Sequence, residues 1–385
     1  MASIRQRTAR TVVSEPKAAA EDLLDQLGSE SPKLVVLFAS RARDQRALNA
    51  ALRERLPKTT RLIGATTGGE IDAQGIHQDS VVLGALSGDF DIGIGLGRNL
   101  SKDAVGAGAD AAKAAARDLG VRQADLDLRT TVGLVIDDGF QFKKEELLLG
   151  ALDKNQGLVL VGGGAADSAQ QSSEIHVDGE VVSDAVLMAL FRTEAPWAAL
   201  RHHPYTPTGE TVTVTKTDDA GKIVFEIDGQ PAAARYAELL DVGVDDLEFG
   251  KPRGFSQRSL ALKVGREYFM RTPWKPQDDG SILFATAVQE DTQLEMMRLG
   301  DMGEMAARFF DETVPYRCPN PSASLLFHCS GCQWVADSTG ATPAIAEAFK
   351  RAPSPAGFNV YFEIYCGFHI NTTLTTLAFG SHEPS

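Results

Sequence analysis

Leu34-Val35-Val36-Leu37-Phe38-Ala39 is an unbroken apolar run, the pattern of a β-strand buried on both faces. Residues 15–29 before it suit a helix with Leu23, Leu24 and Leu27 on one side. A second helix is expected around Arg43–Leu56, stopped by Pro57, and Leu62–Thr66 reads as another buried strand. This strand, helix, strand rhythm predicts an α/β first domain. Farther on, Ala-rich residues 103–119 and Lys143–Leu152 read as helices, and Thr131–Ile136 and Leu158–Val161 as strands.

A chain of 385 residues is long for one core, so two domains are expected. The division falls into a tail and helix over residues 1–30, a first domain over 31–215 and a second over 216–385. The predicted fold class is mixed α/β (α+β), with two strand-rich domains, flanking helices and a pocket near the domain interface. Residues 194–210 carry Pro196, Pro204 and Pro207 around His202-His203 and read as a connection or long edge loop. Helices are expected at Gln230–Leu240, Asp301–Asp311 and Ala341–Phe349. Strands are expected at Thr211–Thr215, Ile223–Ile227, Leu260–Val264, Tyr268–Met270, Ile282–Ala287 and Ser324–Cys329.

The net charge of -14 argues against nucleic acid or an anionic membrane as partner, since both are held by clustered Lys and Arg. Nothing approaches eighteen consecutive apolar residues, and MASIRQRTAR carries no apolar signal region, so the expected location is cytoplasmic. The first ten residues and the HEPS tail are expected to fray. All four cysteines follow residue 317, and reduced thiols are expected. Cys329-x-x-Cys332 has a spacing also used for zinc or redox work, whereas Cys318 and Cys366 stand apart.

Glycines punctuate the strands. In ATTGGEI, from Ala65 to Ile71, two adjacent glycines allow a sharp turn or close approach to a ligand, with Glu70 and Asp72 either binding or solvated. Gly93, Gly95 and Gly97 fall at every second position and line one face of a strand, unlike a dinucleotide fingerprint. Gly162-Gly163-Gly164 reads as a loop opening from a strand, without the Lys-Ser/Thr ending of a phosphate loop. Asp178-Gly179 is a favoured two-residue turn and predicts a hairpin between Ile175–Val177 and Val181–Phe191.

The closing stretch GFNVYFEIYCGFHINTTLTTLAFG, Gly357 to Gly380, looks like two strands meeting at Gly367. Alternation puts Phe368, Ile370, Thr372, Leu374 and Ala378 on a core face. It puts His369, Asn371, Thr373 and Thr375 on the other, a row suited to a polar pocket wall. This pattern, Gly-Phe-x-x-Tyr-x-Glu and then His-x-Asn-x-Thr, resembles the closing motif of the FIST family, sensory proteins with an N-terminal and a C-terminal FIST domain. ATTGGEI and VGGGAADS, from Val161 to Ser168, are similar to that family's N-terminal glycine signatures. Within the family, the paired histidines and the Gly357 to Thr373 residues are most similar to the haem-binding, nitric-oxide-sensing branch. Phe362 stands where the family usually has glycine, and Thr372 where glutamine is frequent.

The resemblance implies a bacterial sensor that binds haem b, responds to nitric oxide and signals to a sensor histidine kinase. The ligand-binding residues it implies are His202, His203, Tyr361, Glu363, His369, Asn371 and Thr373. His203 or His369 would supply the axial imidazole, with Cys366 as an alternative thiolate; the spacing does not choose among them. The wider family implies an alternative, a haem-free sensor of an amino-acid-like metabolite. A haem-dependent enzyme is the third reading. The chain lacks the Gly-x-Ser-x-Gly and His-Glu-x-x-His motifs, and Glu363 is the candidate acid or base if buried near His369.

Overall fold

The apolar run is the strand Leu34–Ser40, buried at every residue, in a computed structural model that describes residues 2–28, 31–169, 172–251 and 253–382. It lies parallel to Arg61–Thr67, and the helix Gln45–Arg55 makes the crossover. Among the described residues these two strands belong to a six-stranded sheet. Its order is Ile4–Thr11, Val81–Gly88, Leu34–Ser40, Arg61–Thr67, Ile175–Val177, Glu180–Val182. On its outer face, Leu23 and Leu27 of the helix Pro16–Leu27 and Leu48 and Leu52 of Gln45–Arg55 cover Val35, Leu37 and Leu83. On its inner face, Val36, Phe38, Ile63 and Val82 meet a second sheet through Phe327, Phe358, Val360 and Phe379.

That second sheet runs Trp197–His202, Leu374–Phe379, Ala323–Cys329, Pro355–Tyr365, Val159–Ala165, Thr131–Asp138, Ala185–Arg192, Asp91–Arg98. Its middle strand, Pro355–Tyr365, pairs in parallel with Ala323–Cys329 along its first half and antiparallel with Val159–Ala165 along its second. The far face is covered in two parts. One part lies under the helices Ala104–Asp118 and Lys144–Leu152. Here a Cβ on Gly93, Gly95 or Gly97 would stand 2.2, 2.0 or 1.9 Å from the carbonyl oxygen of Ala115, Ala111 or Ala107. The glycine face therefore exists so that an alanine-rich helix can lie directly on the strand. The other part lies under a third sheet, which includes Tyr205–Thr217, Arg258–Val264 and Thr292–Leu299, and the helices Met302–Arg308, Ser330–Thr339 and Thr342–Phe349. The mixed α/β class is as expected.

Several local expectations change. Residues 4–11, expected to fray, form an edge strand paired with Val81–Gly88, with Ile4 buried on its inner face and Ala9 on its outer face. Gly162 to Gly164 do not form a loop. They continue the strand Val159–Ala165 and pair with Tyr361 to Ile364, where the absence of side chains brings the closing strand close. Residues 194–210 are mostly strand: Trp197–His202 pairs with Leu374–Phe379, and Tyr205–Thr217 with Thr292–Leu299. Pro196 and Pro204 stand just before these strands and Pro207 begins an irregular register, positions where a missing N–H costs no ladder bond. The Asp178-Gly179 hairpin closes as expected, but its second arm ends at Val182, and Ala185–Arg192 joins the other sheet. The closing stretch turns at Cys366-Gly367, with φ of 50° and 79°, and Phe368–Ile370 breaks off before Leu374–Phe379. Phe368 is 60% exposed, outside the core to which alternation assigned it.

Candidate functional site

Where the two coverings of the far sheet face meet, the closing segment buries a polar cluster. Glu363 lies just after a bulge: Tyr361 opposes Gly164 and Glu363 opposes Gly163, leaving Phe362 as the extra residue at φ 58°. Left-handed backbone explains why glycine suits this position. Glu363 is fully buried, and its Oε1 accepts the N–H of Thr373 at 2.8 Å and the Thr373 hydroxyl at 2.5 Å. Its Oε2 has no hydrogen-bond partner. Burial pushes this carboxyl up to about 8, against the opposing pull of Thr373, the neighbouring Cys329 thiol and Lys144.

Lys144 and Asp137 form an ion pair at 2.7 Å with side chains 2% and 1% exposed. Asp137 ends the strand Thr131–Asp138, and Lys144 shares the buried face of its helix with Leu147, Leu148 and Ala151. The second oxygen of Asp137 has no partner. A Cβ on Gly164 would come within 2.7 Å of the Lys144 ammonium, so the glycine strand leaves that space open.

One residue on, Glu145 Oε1 stands 2.7 Å from His369 Nδ1 and 2.9 Å from the Lys222 ammonium. Burial pushes the Glu145 carboxyl up, but His369 and Lys222 outweigh it and hold the group well below the usual carboxylate range. Burial also lowers the His369 pKa despite Glu145. Lys222 also meets the charge of Glu145. The short Nδ1 to Oε1 distance is poorly aligned, and neither ring nitrogen of His369 completes a hydrogen bond. Phe362 closes over the ring at 5.2 Å. Asn371 donates to Thr286 at 3.0 Å and Thr372 meets Thr272 at 2.8 Å, fastening the segment to the third sheet.

Glu363 and Thr373 are hydrogen-bonded to each other, whereas His369, opposite Ile364 in the hairpin, meets Glu145, and Asn371 meets Thr286. Tyr361 sits half-buried against Phe140 at 4.7 Å, and burial lifts its hydroxyl to about 12. His202 and His203 point elsewhere. His202 stacks on Phe309 at 5.4 Å and shares with His328, Cys332 and Met302 a cavity of about 20 Å³, room for about one water. His203 Nδ1 accepts the Tyr205 N–H at 3.4 Å. Burial depresses these imidazoles to about 3 and about 4. Cys366 sits in the hairpin turn, and burial raises its thiol, opposing the thiolate an iron would take. Cys318, Cys329 and Cys332 are buried free thiols. Glu70 is buried against Thr67 and Ser80, and Asp72 pairs with His77 and Arg10, both apart from the cluster.

These positions do not accommodate haem as they stand. The cavity at His202 is far smaller than a porphyrin, and Phe362 fills the space beside His369. Among the described residues no group of three or more His, Cys, Asp or Glu is placed to hold a metal ion. No described helix is long and apolar enough to cross a membrane. Asp137, Lys144, Glu145 and Lys222 were not among the sequence candidates. A lysine at the head of an apolar helical stripe was the available signal for Lys144.

The FIST N domain matches residues 33–230, more than half the chain, and the FIST C domain matches 232–366. The chain belongs to the FIST family. FIST domains are sensory domains that bind small ligands. Asp137, Lys144, Glu145 and Lys222 come from the FIST N region, Glu363 from FIST C, and His369 from just beyond it. An uncharacterised protein of Methanocaldococcus jannaschii is 29% identical over 216 residues, covering 54% of this chain. The chain spans 38% of that relative's length. Among solved structures, a cyanuric acid hydrolase from A. caulinodans has 9% identity, TM-score 0.38 and coverage of 99% of this chain and 100% of that one. PurLQS from Thermotoga maritima has 12% identity, TM-score 0.20 and coverage of 100% and 73%. Neither likeness bears on chemistry at such scores.

Proposed function

We propose that this FIST protein is a haem-free sensor of a small polar metabolite, bound at the junction that Glu363 and His369 share with Lys144 and Glu145. The carrying observation is the set of buried polar atoms without partners there: Glu363 Oε2, Asp137 Oδ1 and His369 Nε2. Native interiors pair such atoms with protein, water or ligand, and an amino-acid-like molecule bears both the donors and the acceptors to do so. Because the cluster draws on both FIST regions, a ligand there favours one packing of the regions over another, and only such differential affinity shifts an equilibrium. The signal then passes by protein contact to a sensor histidine kinase, the partner implied by the family resemblance. A thermal-shift screen of amino acids and related metabolites tests the reading. At about a hundred times Kd a ligand adds about 2.7 kcal/mol. The stabilisation should disappear in His369→Ala, and a response unchanged in that variant would overturn the site.

Haem with nitric oxide is a second reading, favoured by one arrangement: a carboxylate at His369 Nδ1 and an unpartnered Nε2, as in metal-ligating imidazoles. His369 would hold the iron, and Phe362 would have to leave. Phe362→Gly removes that ring at a position of positive φ. A Soret band that appears on adding haem to this variant, but not to the unaltered chain, would identify Phe362 as the block. A band in the unaltered chain that shifts with nitric oxide would put haem in place of the metabolite.

A further inference from the structure

We infer an anion subsite at the start of the helix Ser330–Thr339, walled by Gly68, Gly69 and Asn359, that takes the carboxylate or phosphate of the ligand. It rests on the metabolite-sensor reading and adds the chemical class to it. The helix has ten residues, no side-chain cap and no acidic residue in its first turn. Its first N–H groups therefore present a partial positive charge with no carboxylate beside them, although the Cys329 sulfur faces the first turn. The Ser330 hydroxyl, on the first residue of the helix, is buried with no hydrogen-bond partner.

The second observation is independent of the helix. Asn359 is 0% exposed, its Oδ1 is taken by His328 Nδ1 at 2.8 Å, and its Nδ2 has no partner. That amide points toward the Gly68-Gly69 turn: a Cβ on Gly69 would stand 2.8 Å from Nδ2, and one on Gly68 would stand 3.2 Å from the Ser330 hydroxyl. The two orphaned donors thus lie directly against two adjacent glycines, where no side chain could stand. A buried amide donor, a hydroxyl and the N–H groups of the helix start are donors that an oxyanion satisfies, beside the carbonyl oxygens of His77 and Asn359 that also approach the glycines. The nearby acid does not oppose it, because Glu70 is turned onto Thr67 and Ser80.

The topology agrees. Gly68 follows the carboxyl end of Arg61–Thr67, parallel to Leu34–Ser40, and Ser330 follows the carboxyl end of Ala323–Cys329, parallel to Pro355–Tyr365. Ligands in α/β sheets bind outside such strand ends. The polar cluster is close by in the chain's own bonding, since Cys329 donates its N–H to Thr373 and accepts that of Thr372 on its sulfur at 3.2 Å.

The test is titration of the full chain with sodium phosphate and with sodium acetate, against chloride at matched ionic strength, read by thermal shift and calorimetry. The expected result is a saturable response to one anion beyond that to chloride. Phosphate alone assigns a phosphoryl group, and acetate alone a carboxylate. Ser330→Asp places a carboxylate at the helix start, so it should fold at least as stably while weakening the anion response at least about tenfold. Asn359→Leu should lose the response as well, with Ser330→Asp deciding should that variant not fold. Equal half-saturation in wild type and Ser330→Asp, or a wild-type response no greater than that to chloride, would overturn the subsite. His369→Ala separates the two readings: it should abolish metabolite stabilisation and leave the phosphate or acetate response in place.

Discussion

Replacing Lys144 with methionine keeps the length of the side chain and removes its charge, leaving Asp137 alone in the interior. Asp137 is 1% exposed, and its second oxygen already lacks a partner, so water cannot substitute for the ammonium. Breaking a buried pair in this way costs about 3–5 kcal/mol. A second route gives the same size. If the stranded carboxylate instead protonates, holding it neutral at pH 7 against an unfolded pKa near 3.9 costs about 4 kcal/mol, at about 1.4 kcal/mol per unit. The two routes differ in pH dependence. With protonation, the folded carboxyl has a raised pKa, so the penalty is small near the unfolded pKa and grows as pH rises. Urea denaturation followed by circular dichroism, at about pH 4.5 and about pH 7, should show Lys144→Met losing far more stability at the higher pH. The double variant Asp137→Leu with Lys144→Met should recover most of the loss, because apolar replacement of a whole buried pair is close to neutral. A cost below about 1 kcal/mol at neutral pH, or a double variant no better than the single one, would refute the argument.

Glu363 has its pKa raised to about 8 by burial, so it favours the fold fully below the unfolded carboxyl pKa and loses that contribution as pH climbs through about 8. Glu363→Gln should remove a decline of roughly 1.4 kcal/mol per pH unit from the stability profile between about pH 5 and about pH 8. Parallel melting profiles for the two proteins would sink the assignment. Gly95→Ala would put a Cβ 2.0 Å from the Ala111 carbonyl oxygen and should cost roughly 3 kcal/mol or more in urea. A loss within experimental error would mean that the helix does not lie directly on the strand.

The first sheet and its helices were legible because their code is local. Leu34 to Ala39 is apolar throughout and the helix Gln45–Arg55 is stopped at Pro57; in the second sheet Gly93, Gly95 and Gly97 likewise announced a face without side chains. The glycine strand 162–164 was misread because a strand without side chains has no periodicity. Its identity comes from the partner Pro355–Tyr365, far away in sequence. The strand Ile4–Thr11 was missed for a related reason, since Arg5, Arg7 and Arg10 on an edge look like the charges of a loose end. For the proposed site, the closing motif offered Glu363, His369, Asn371 and Thr373 as candidates. Lys144 and Asp137 stayed hidden because each justifies the burial of the other, and a single sequence records neither half of that bargain.

The closing strand sits in the middle of the second sheet although it follows both of its neighbours, Val159–Ala165 and Ala323–Cys329, in sequence. Until it arrives, Val159–Ala165 presents a row of unpaired amides and carbonyls on an almost featureless glycine ribbon, and Ala323–Cys329 lacks its parallel neighbour. Such an edge accepts any strand offered to it. Folding should therefore wait on one long-range insertion, slowed because loop closure comes before the contacts that reward it, and the FIST N and FIST C regions should not fold well apart. Expressed apart, the first would expose a sticky gap and the second a strand without a sheet. Mixed during refolding, they should complement each other through the one strand that both need.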